Sequence, residues 1–391
     1  QLVAYGAQDS YLTGNPQITF FKVVYRRYTN FAIEPLEQHF IGLKDYGKTI
    51  TASIARTGDL INRMYIEHTI NMGANTEICA NYASALLKQI DFEIGGQRID
   101  RHFGHWLEVW SELTQKNPQA ITCVPTNNKR SEALTGTQFQ VMSGMGGVSN
   151  TASNIPTPEK MYIPLQFWFC RNHGYALPII ALPYHEVKVK ITLESLDNLI
   201  HTNTIQPAMG QFSLWVDYVY LDTEERRRFT EVDHEYLIDQ LQYETSNKKE
   251  MLLHFNHPVK ELIWVEKPNV LVDQQDDAGP STPLTINSDN TFRIEFNGHD
   301  RIKERPRDYF TRTQIYQHHT GYGGLINKDS IAVYSFSLNP EENQPSGTCN
   351  FSRLDSVKLV SSGTINNLNV YAVNYNILRI VDGMGSLAFS N

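Results

Sequence analysis

Histidines and carboxylates set the chemistry this chain could do. His102-Phe103-Gly104-His105 with Glu108 holds the donor types of a metal site, and His254-x-x-His257 and the pair His318-His319 raise the same prospect. A structural or catalytic metal needs three or four donors converging on one point. Gly104 and Trp106 interrupt any regular helix face that would carry both His102 and His105, and no third ligand converges in the sequence. These residues read as polar histidines at sheet edges and loop bases, and no metal ligand is assigned. Gly144-x-Gly146 and Gly321-Tyr322-Gly323-Gly324 are too short for a phosphate loop. No G-x-S-x-G elbow presents a nucleophilic serine. Asp276-Asp277 pairs two acids, but in a polar run where solvated charge accounts for them. No catalytic or cofactor-binding residue is therefore expected. Asn350-Phe351-Ser352 is the one N-x-[ST] sequon, and a strand beginning at Phe351 would leave it partly buried, which argues against a glycan there.

The elements that must position these residues repeat. Ile90-Asp91-Phe92-Glu93-Ile94-Gly95-Gly96 returns as Phe292-Arg293-Ile294-Glu295-Phe296-Asn297-Gly298 at an offset of 202, with Arg98 and Arg301 following. Apolar residues at every second position put one strand face on a core, and the glycines suit a tight turn. Each copy leads into a similar train. Ile163–Phe169 runs through a Gly/Pro loop to Tyr184–Val189, and Ala332–Leu338 runs through another to Phe351–Leu359. Val357 stands to Val187 at an offset of 170, so the first copy carries an insertion of 32 residues. This is an internal duplication of one all-β unit, which says more about organisation than about catalysis.

With 391 residues the chain exceeds one ordinary hydrophobic core. A hydrophobic fraction of 41% with 20 Tyr and 18 Phe suits two sheet-built cores and argues against disorder. The formal charge of −8 lacks the basic footprint of a nucleic-acid binder, so no direct nucleic-acid contact is expected. Cys79, Cys123, Cys170 and Cys349 are widely spaced and read as reduced, mostly buried thiols. No transmembrane run and no secretory signal is read, and because residue 1 is Gln an initiator Met is expected to precede it.

Residues 1–23 read as an extended or partly helical arm packed beneath something rather than folded alone. Val187–Glu194 alternates without a break and is the clearest strand, with Lys188 and Lys190 on its solvent face. His105–Leu113 is helical, with Trp106, Trp110 and Leu113 at i, i+4 and i+7. Asp222-Thr223-Glu224-Glu225 forms an N-cap with an acid three residues on, and Arg226-Arg227-Arg228 falls towards the end of that short linker helix. Residues 115–160 and 272–290 read as long surface loops.

The run GAQDSYLTGNPQITFFKVVYRRYTNFA (Gly6–Ala32) resembles the opening of the major capsid proteins of large icosahedral double-stranded DNA viruses, the chlorella-virus (phycodnavirus) members above all. The likeness continues in FEIGGQRID (Phe92–Asp100), LPIIALPYHEVK (Leu177–Lys188), WVDYVYLDTEERRRF (Trp215–Phe229) and HEYLIDQLQ (His234–Gln242). It resumes in HFNHP (His254–Pro258), NGHDR (Asn297–Arg301), QPSGTCNFSRLD (Gln344–Asp355) and NYNILRIVDGMGSLAFSN (Asn374–Asn391), nearly the whole chain in order. The resemblance implies an all-β double jelly roll, two tandem eight-stranded sandwiches with short helices in the loops. The division then expected is an arm at 1–23, a first jelly roll at 24–221 and a second at 222–391, with the linker helix at about 222–229.

The resemblance also implies a structural building block and not an enzyme: a homotrimer whose six similar wedges fill a pseudo-hexagonal tile. Neighbouring capsomers, minor capsid proteins and an internal viral membrane at the tile's base are the implied partners. The implied location is the virion shell, assembled in host cytoplasm. Members of that family can be glycoproteins, which leaves non-standard Asn in the outer loops open to glycans. Jelly rolls also serve as lectin domains and fold does not fix function, so a carbohydrate-binding or carbohydrate-cleaving protein is the alternative. A minor capsid or vertex protein is a third reading, disfavoured because a fivefold vertex has no use for six equivalent wedges.

Overall fold

Two hairpins with the same turn chemistry anchor the architecture. In a computed structural model the protein is described at residues 3–71, 78–115, 122–123, 134–135, 137–146, 148, 158–200, 207–266, 290–321, 331–365 and 367–390. Its first strands are β1 (Phe31–Gln38), β2 (Phe40–Ile41), β3 (Thr49–Ser53), β4 (Leu60–Asn71), β5 (Leu87–Ile94) and β6 (Gln97–His102). Then come β7 (Thr122–Cys123), β8 (Leu134–Thr135), β9 (Lys160–Pro164), β10 (Val187–Leu193) and β11 (Ala208–Leu221). The chain continues with β12 (His234–Ser246), β13 (Glu250–Leu253), β14 (Pro258–Glu266), β15 (Thr291–Phe296), β16 (His299–Pro306) and β17 (Ala332–Ser335). It closes with β18 (Cys349–Asn350), β19 (Val357–Ser361), β20 (Leu368–Val381) and β21 (Met384–Leu387). The helices are short: α1 (Ser10–Thr13), α2 (Tyr82–Leu86), α3 (Gly104–Thr114), α4 (Gln138–Ser143), α5 (Trp168–Arg171), α6 (Thr223–Glu231) and α7 (Gln314–His318).

Four antiparallel sheets form two sandwiches. Sheet order β1-β11-β4-β9 faces β2-β3-β10-β5-β6, and order β12-β20-β14-β17 faces β13-β19-β15-β16. Apart from β2, each strand of the first sandwich has a counterpart at the same place in the second, so the duplication is legible in sheet order. Register confirms the offsets. Ile94 pairs with Val187 and Phe296 with Val357, so the pairs are related by 202 on one strand and 170 on the other. Both hairpin turns hold two positive-φ residues, Gly95 and Gly96 at +56° and +82°, Asn297 and Gly298 at +51° and +78°. That is the type I′ pattern, whose twist matches the flanking strands.

The alternation of β10 is realised as expected, with Val187, Val189, Ile191 and Leu193 buried and Lys190 exposed. Two expectations of extended chain fail. The run from Ile163 ends as strand at Pro164, and Trp168–Arg171 turns as helix. Phe167, Trp168 and Phe169 are all buried, which an alternating strand cannot achieve and a helical turn can. Phe351–Arg353 is a 3-10 turn, because Asn350 Oδ1 accepts from Ser352 N at 3.0 Å and bends the chain. The described part of 115–160 also contains α4, capped by Thr137, whose hydroxyl accepts from Gln140 N at 3.2 Å. Among the free thiols, Cys79 is buried but Cys170 and Cys349 are only half-buried; the Cys123 side chain lies outside the described residues.

Helix α3 joins the two sandwiches. Trp106, Val109, Trp110 and Leu113 pack on Ile263 and Val265 of β14, Val333 of β17, and Tyr371 and Val373 of β20. Leu262 and Trp264 of β14 point the other way, into the second sandwich's core. Strand β14 is therefore covered on both faces, which explains its nearly unbroken apolar sequence. The core of the first sandwich also takes in Ile238, Leu378 and Ile380 from β12 and β20.

Candidate functional site

The histidines singled out by spacing are held in separate environments. His102 Nε2 lies 2.9 Å from Asp100 Oδ2, and its ring stacks on Phe167 with centroids 4.6 Å apart. His105 sits among the rings of Phe103, Tyr243 and Tyr371. His254 is exposed with Nδ1 3.2 Å from Glu244 Oε1, whereas His257 is buried at φ +67° and its N–H donates to Ser352 Oγ at 2.8 Å. His318 Nδ1 lies 3.0 Å from the Leu338 carbonyl. Among the described residues no three His, Cys, Asp or Glu side chains are arranged to hold a metal. The Gly144–Gly146 stretch ends a helix instead of opening one: Gly144 is a left-handed cap on α4, and Gly146 N donates to Glu108 Oε1 at 2.9 Å. Asp276-Asp277 and residues 322–324 lie outside the described residues.

Asn350 corrects an expectation. It is exposed rather than partly buried, because β18 is a two-residue stub whose Asn350 pairs with Pro258 at the start of β14. The burial argument against a glycan at Asn350 does not hold.

Sequence reasoning singled out His319 and Glu108 but missed the buried polar sites they form. Spacing cannot reveal them, because their partners lie far apart in the chain. His319 Nε2 lies 2.8 Å from Glu261 Oε2 and its Nδ1 3.0 Å from Glu341 Oε1. Burial pushes the His319 pKa down, but the two carboxylates prevail and raise it to about 9. Glu341 also accepts from Thr320 N at 2.9 Å, while Gly321 N donates to the Leu113 carbonyl at 2.7 Å and so closes the end of α3. Glu108 is buried in α3 and accepts from Ser84 Oγ at 3.1 Å and Gly146 N at 2.9 Å. Desolvation raises its pKa to about 7 against those two donors. Lys260, fully buried, meets Asp239 at 3.0 Å, and Asp239 also takes Arg171 at 3.4 Å, with Arg171 lying over the Trp110 ring at 4.3 Å. Arg171 on Asp239 crosses between the halves, whereas the His319 and Glu108 sites each draw their partners from one half.

Helix α6 runs from Thr223 to Glu231, with Arg228 alone of the three arginines in its last turn. Asp222 Oδ1 accepts from Glu225 N at 2.9 Å, and Arg227 lies 3.6 Å from Glu224 and 3.9 Å from Glu231. Arg226 pins it to the first sandwich through Asp59 at 3.1 Å.

What remains is an exposed apolar surface. Every residue from 10 to 30 is exposed, including Tyr11, Ile18, Phe20, Phe21, Tyr25 and Tyr28. Exposure continues into β1, an edge strand paired only with β11, where Phe31 and Ile33 stay open. An open edge with an apolar flank is a template for another chain. The signal was present in the sequence as aromatic density across residues 20–28, and the exposure itself needed the fold. This arrangement favours assembly over catalysis.

Comparison with known proteins agrees. Residues 19–222 match the family described as major capsid protein N-terminus, and residues 225–386 match large eukaryotic DNA virus major capsid protein. The chain is 46% identical to the major capsid protein of Pyramimonas orientalis virus, over 100% of this chain and 98% of that relative. It is 36% identical to that of Paramecium bursaria Chlorella virus 1, over 100% and 99%. The fold superposes on the chain in the PBCV-1 virus capsid quasi-atomic model with TM-score 0.76 and 32% identity, covering 95% of this chain and 100% of that one. The Faustovirus major capsid protein shares the fold at TM-score 0.70 with 13% identity, covering 96% and 94%. The expected double jelly roll and structural role hold, and the chain belongs to the family of major capsid proteins of large eukaryotic DNA viruses, the proteins of an icosahedral virion shell.

Proposed function

We propose that this capsid protein works as a homotrimer whose six wedges form a pseudo-hexagonal capsomer. The observation that supports this is the repeated sheet order in two sandwiches that α3 welds into one unit. Two similar wedges per chain and three chains give the sixfold outline a hexagonal lattice needs, and closed symmetry lets the same patches be buried in each copy. The working division is an arm at 1–23, a first jelly roll at 24–221 and a second at 222–391, with the linker helix at its start. Neighbouring capsomers meet at the sides. Minor capsid proteins and an internal viral membrane lie at the base, beside the arm, and the acidic chain leaves the genome to other proteins. Assembly takes place in host cytoplasm.

Light scattering on the purified native protein tests the trimer. Three times 44.7 kDa, stable on dilution, is the expected mass. A monomer that never assembles overturns it. Denatured intact mass above that of the full polypeptide would reveal covalent modification, and peptide mapping would show whether exposed Asn350 carries sugar.

A further inference from the structure

The arm and a cleft at the same end of the molecule are matched in charge and in apolar character. Residues 16–30 contain Lys22, Arg26 and Arg27 and no acid, interleaved with Phe20, Phe21, Tyr25 and Tyr28. All of these side chains are exposed, and among the described residues the three cations have no ion-pair partner. The arm leaves the body at Phe31, which pairs with Leu221 immediately before α6.

The far end of α6 opens a cleft of about 580 Å³ between Phe229–Asp233, the loop Ile180–Tyr184 and the β20–β21 turn. Its rim is apolar and open, with Tyr184 75% and Val232 59% exposed, and Met384 of the same turn 48% exposed. Its charges are acidic: Glu231, Asp233 and Asp382. Glu231 lies a loose 3.9 Å from Arg227, and among the described residues Asp233 and Asp382 have no cationic partner. The chain's own arm runs clear of this cleft; its hydrogen bonds, among the described residues, stay within the arm, as between Gly6 and Asp9.

We infer that residues 18–28 of one copy seat in the cleft between α6 and the β20–β21 turn of a second copy, aromatic rings on its rim and Arg26, Arg27 on Asp233 and Asp382. Extended chain spans roughly 3.3 Å per residue, so from its anchor at Phe31 the arm reaches roughly 15 Å to Arg26 and about 35 Å to Phe20, which requires the acceptor's cleft to abut the donor's β1 end. Burying the rings removes apolar surface from water, and the opposed charges fix register and partner. Each copy gives an arm and receives one, so a closed ring leaves no arm and no cleft unfilled. The inference rests on the oligomer proposed above.

Two full-length variants test it, one carrying Phe21→Cys and the other Val232→Cys. When the two are co-expressed and oxidised, the introduced thiols can pair with each other only between different chains. The expected result is a cross-linked dimer on a non-reducing gel that neither variant gives alone. Asp233→Lys with Asp382→Asn in the acceptor chain should reduce it roughly fivefold or more, since opposed like charges are costly. Arg26→Glu in the donor chain should restore it against Asp233→Lys. These substitutions are on exposed positions, and light scattering on the same samples reports assembly separately. A trimer mass without the cross-link overturns the arm exchange and leaves the trimer standing. A monomer mass overturns both. Arm-dependent flotation with phosphatidylserine vesicles and no cross-link also overturns it, and assigns the arm to a lipid surface.

Discussion

His319 Nε2 stands 2.8 Å from Glu261 Oε2 with both side chains fully withdrawn from solvent. Glu341 Oε1 meets the other ring nitrogen at 3.0 Å. Two ionised carboxylates on two nitrogens call for two N–H donors, so the ring is an imidazolium, buried on the α3 side of β14. Removing it strands Glu261. His319→Ala should cost about 3–5 kcal/mol, the usual result of breaking one side of a buried ion pair. Urea unfolding measures it, and a loss near zero would show that the site is not ionised.

The same site sets a pH window. The folded pKa of about 9 lies above the ordinary histidine value, so its contribution is complete below about 6.5 and is lost as pH rises through about 9. Melting temperature should fall between pH 7 and pH 10 in the native chain, and the fall should be smaller in His319→Gln.

Glu108 is an acid raised to about 7 by burial, so the folded state prefers it protonated. Its contribution is complete below its ordinary value of 4.5 and is lost as pH climbs through about 7. Glu108→Gln keeps an acceptor for Gly146 N and removes the charge. It should be near neutral at pH 5 and stabilise by roughly 1–3 kcal/mol at pH 8. A variant that is equally destabilised at both pH values would exclude this account.

Trp106 is fully buried, with its ring 5.1 Å from Tyr371 and 5.4 Å from Trp110. Trp106→Ala should cost about 3–5 kcal/mol. Because the lost contacts lie between the sandwiches, calorimetry should resolve two transitions where the native chain shows one. A single lowered transition would mean that the halves remain coupled without this side chain.

The two glycines of the first hairpin separate backbone strain from crowding. A Cβ on Gly96 meets nothing within 4 Å, so Gly96→Ala should cost only the left-handed penalty of about 1–2 kcal/mol. A Cβ on Gly95 comes 2.5 Å from the His185 ring, which itself accepts from Gly385 N. Gly95→Ala should therefore cost clearly more and disturb the β20–β21 turn. Equal midpoints in denaturant would refute the distinction.

How much of this was legible follows from distance along the chain. The 202 and 170 offsets appear in strand register because alternation and turn glycines are local signals. Helix α3 was readable as a helix from Trp106, Trp110 and Leu113, but its role was not, since Ile263 and Tyr371 lie far along the sequence. Trp168 and Asn350 misled because each departs from its strand through a local bend, one to bury three consecutive aromatics and one through its own side-chain oxygen. The triad at His319 draws on Glu261 and Glu341 from separate segments, and no spacing rule links them.

The placement of α3 also bears on synthesis. Trp106 and Trp110 leave the ribosome well before Ile263, and the last of their partners, Val373, comes near the end of the chain. At usual elongation rates that gap lasts on the order of ten seconds to a minute. During it the first sandwich carries a greasy helix with no lid. The second sandwich closes that window as it folds, so truncated or stalled chains are the sticky species. Demand for chaperones should accordingly track unfinished chains rather than completed ones.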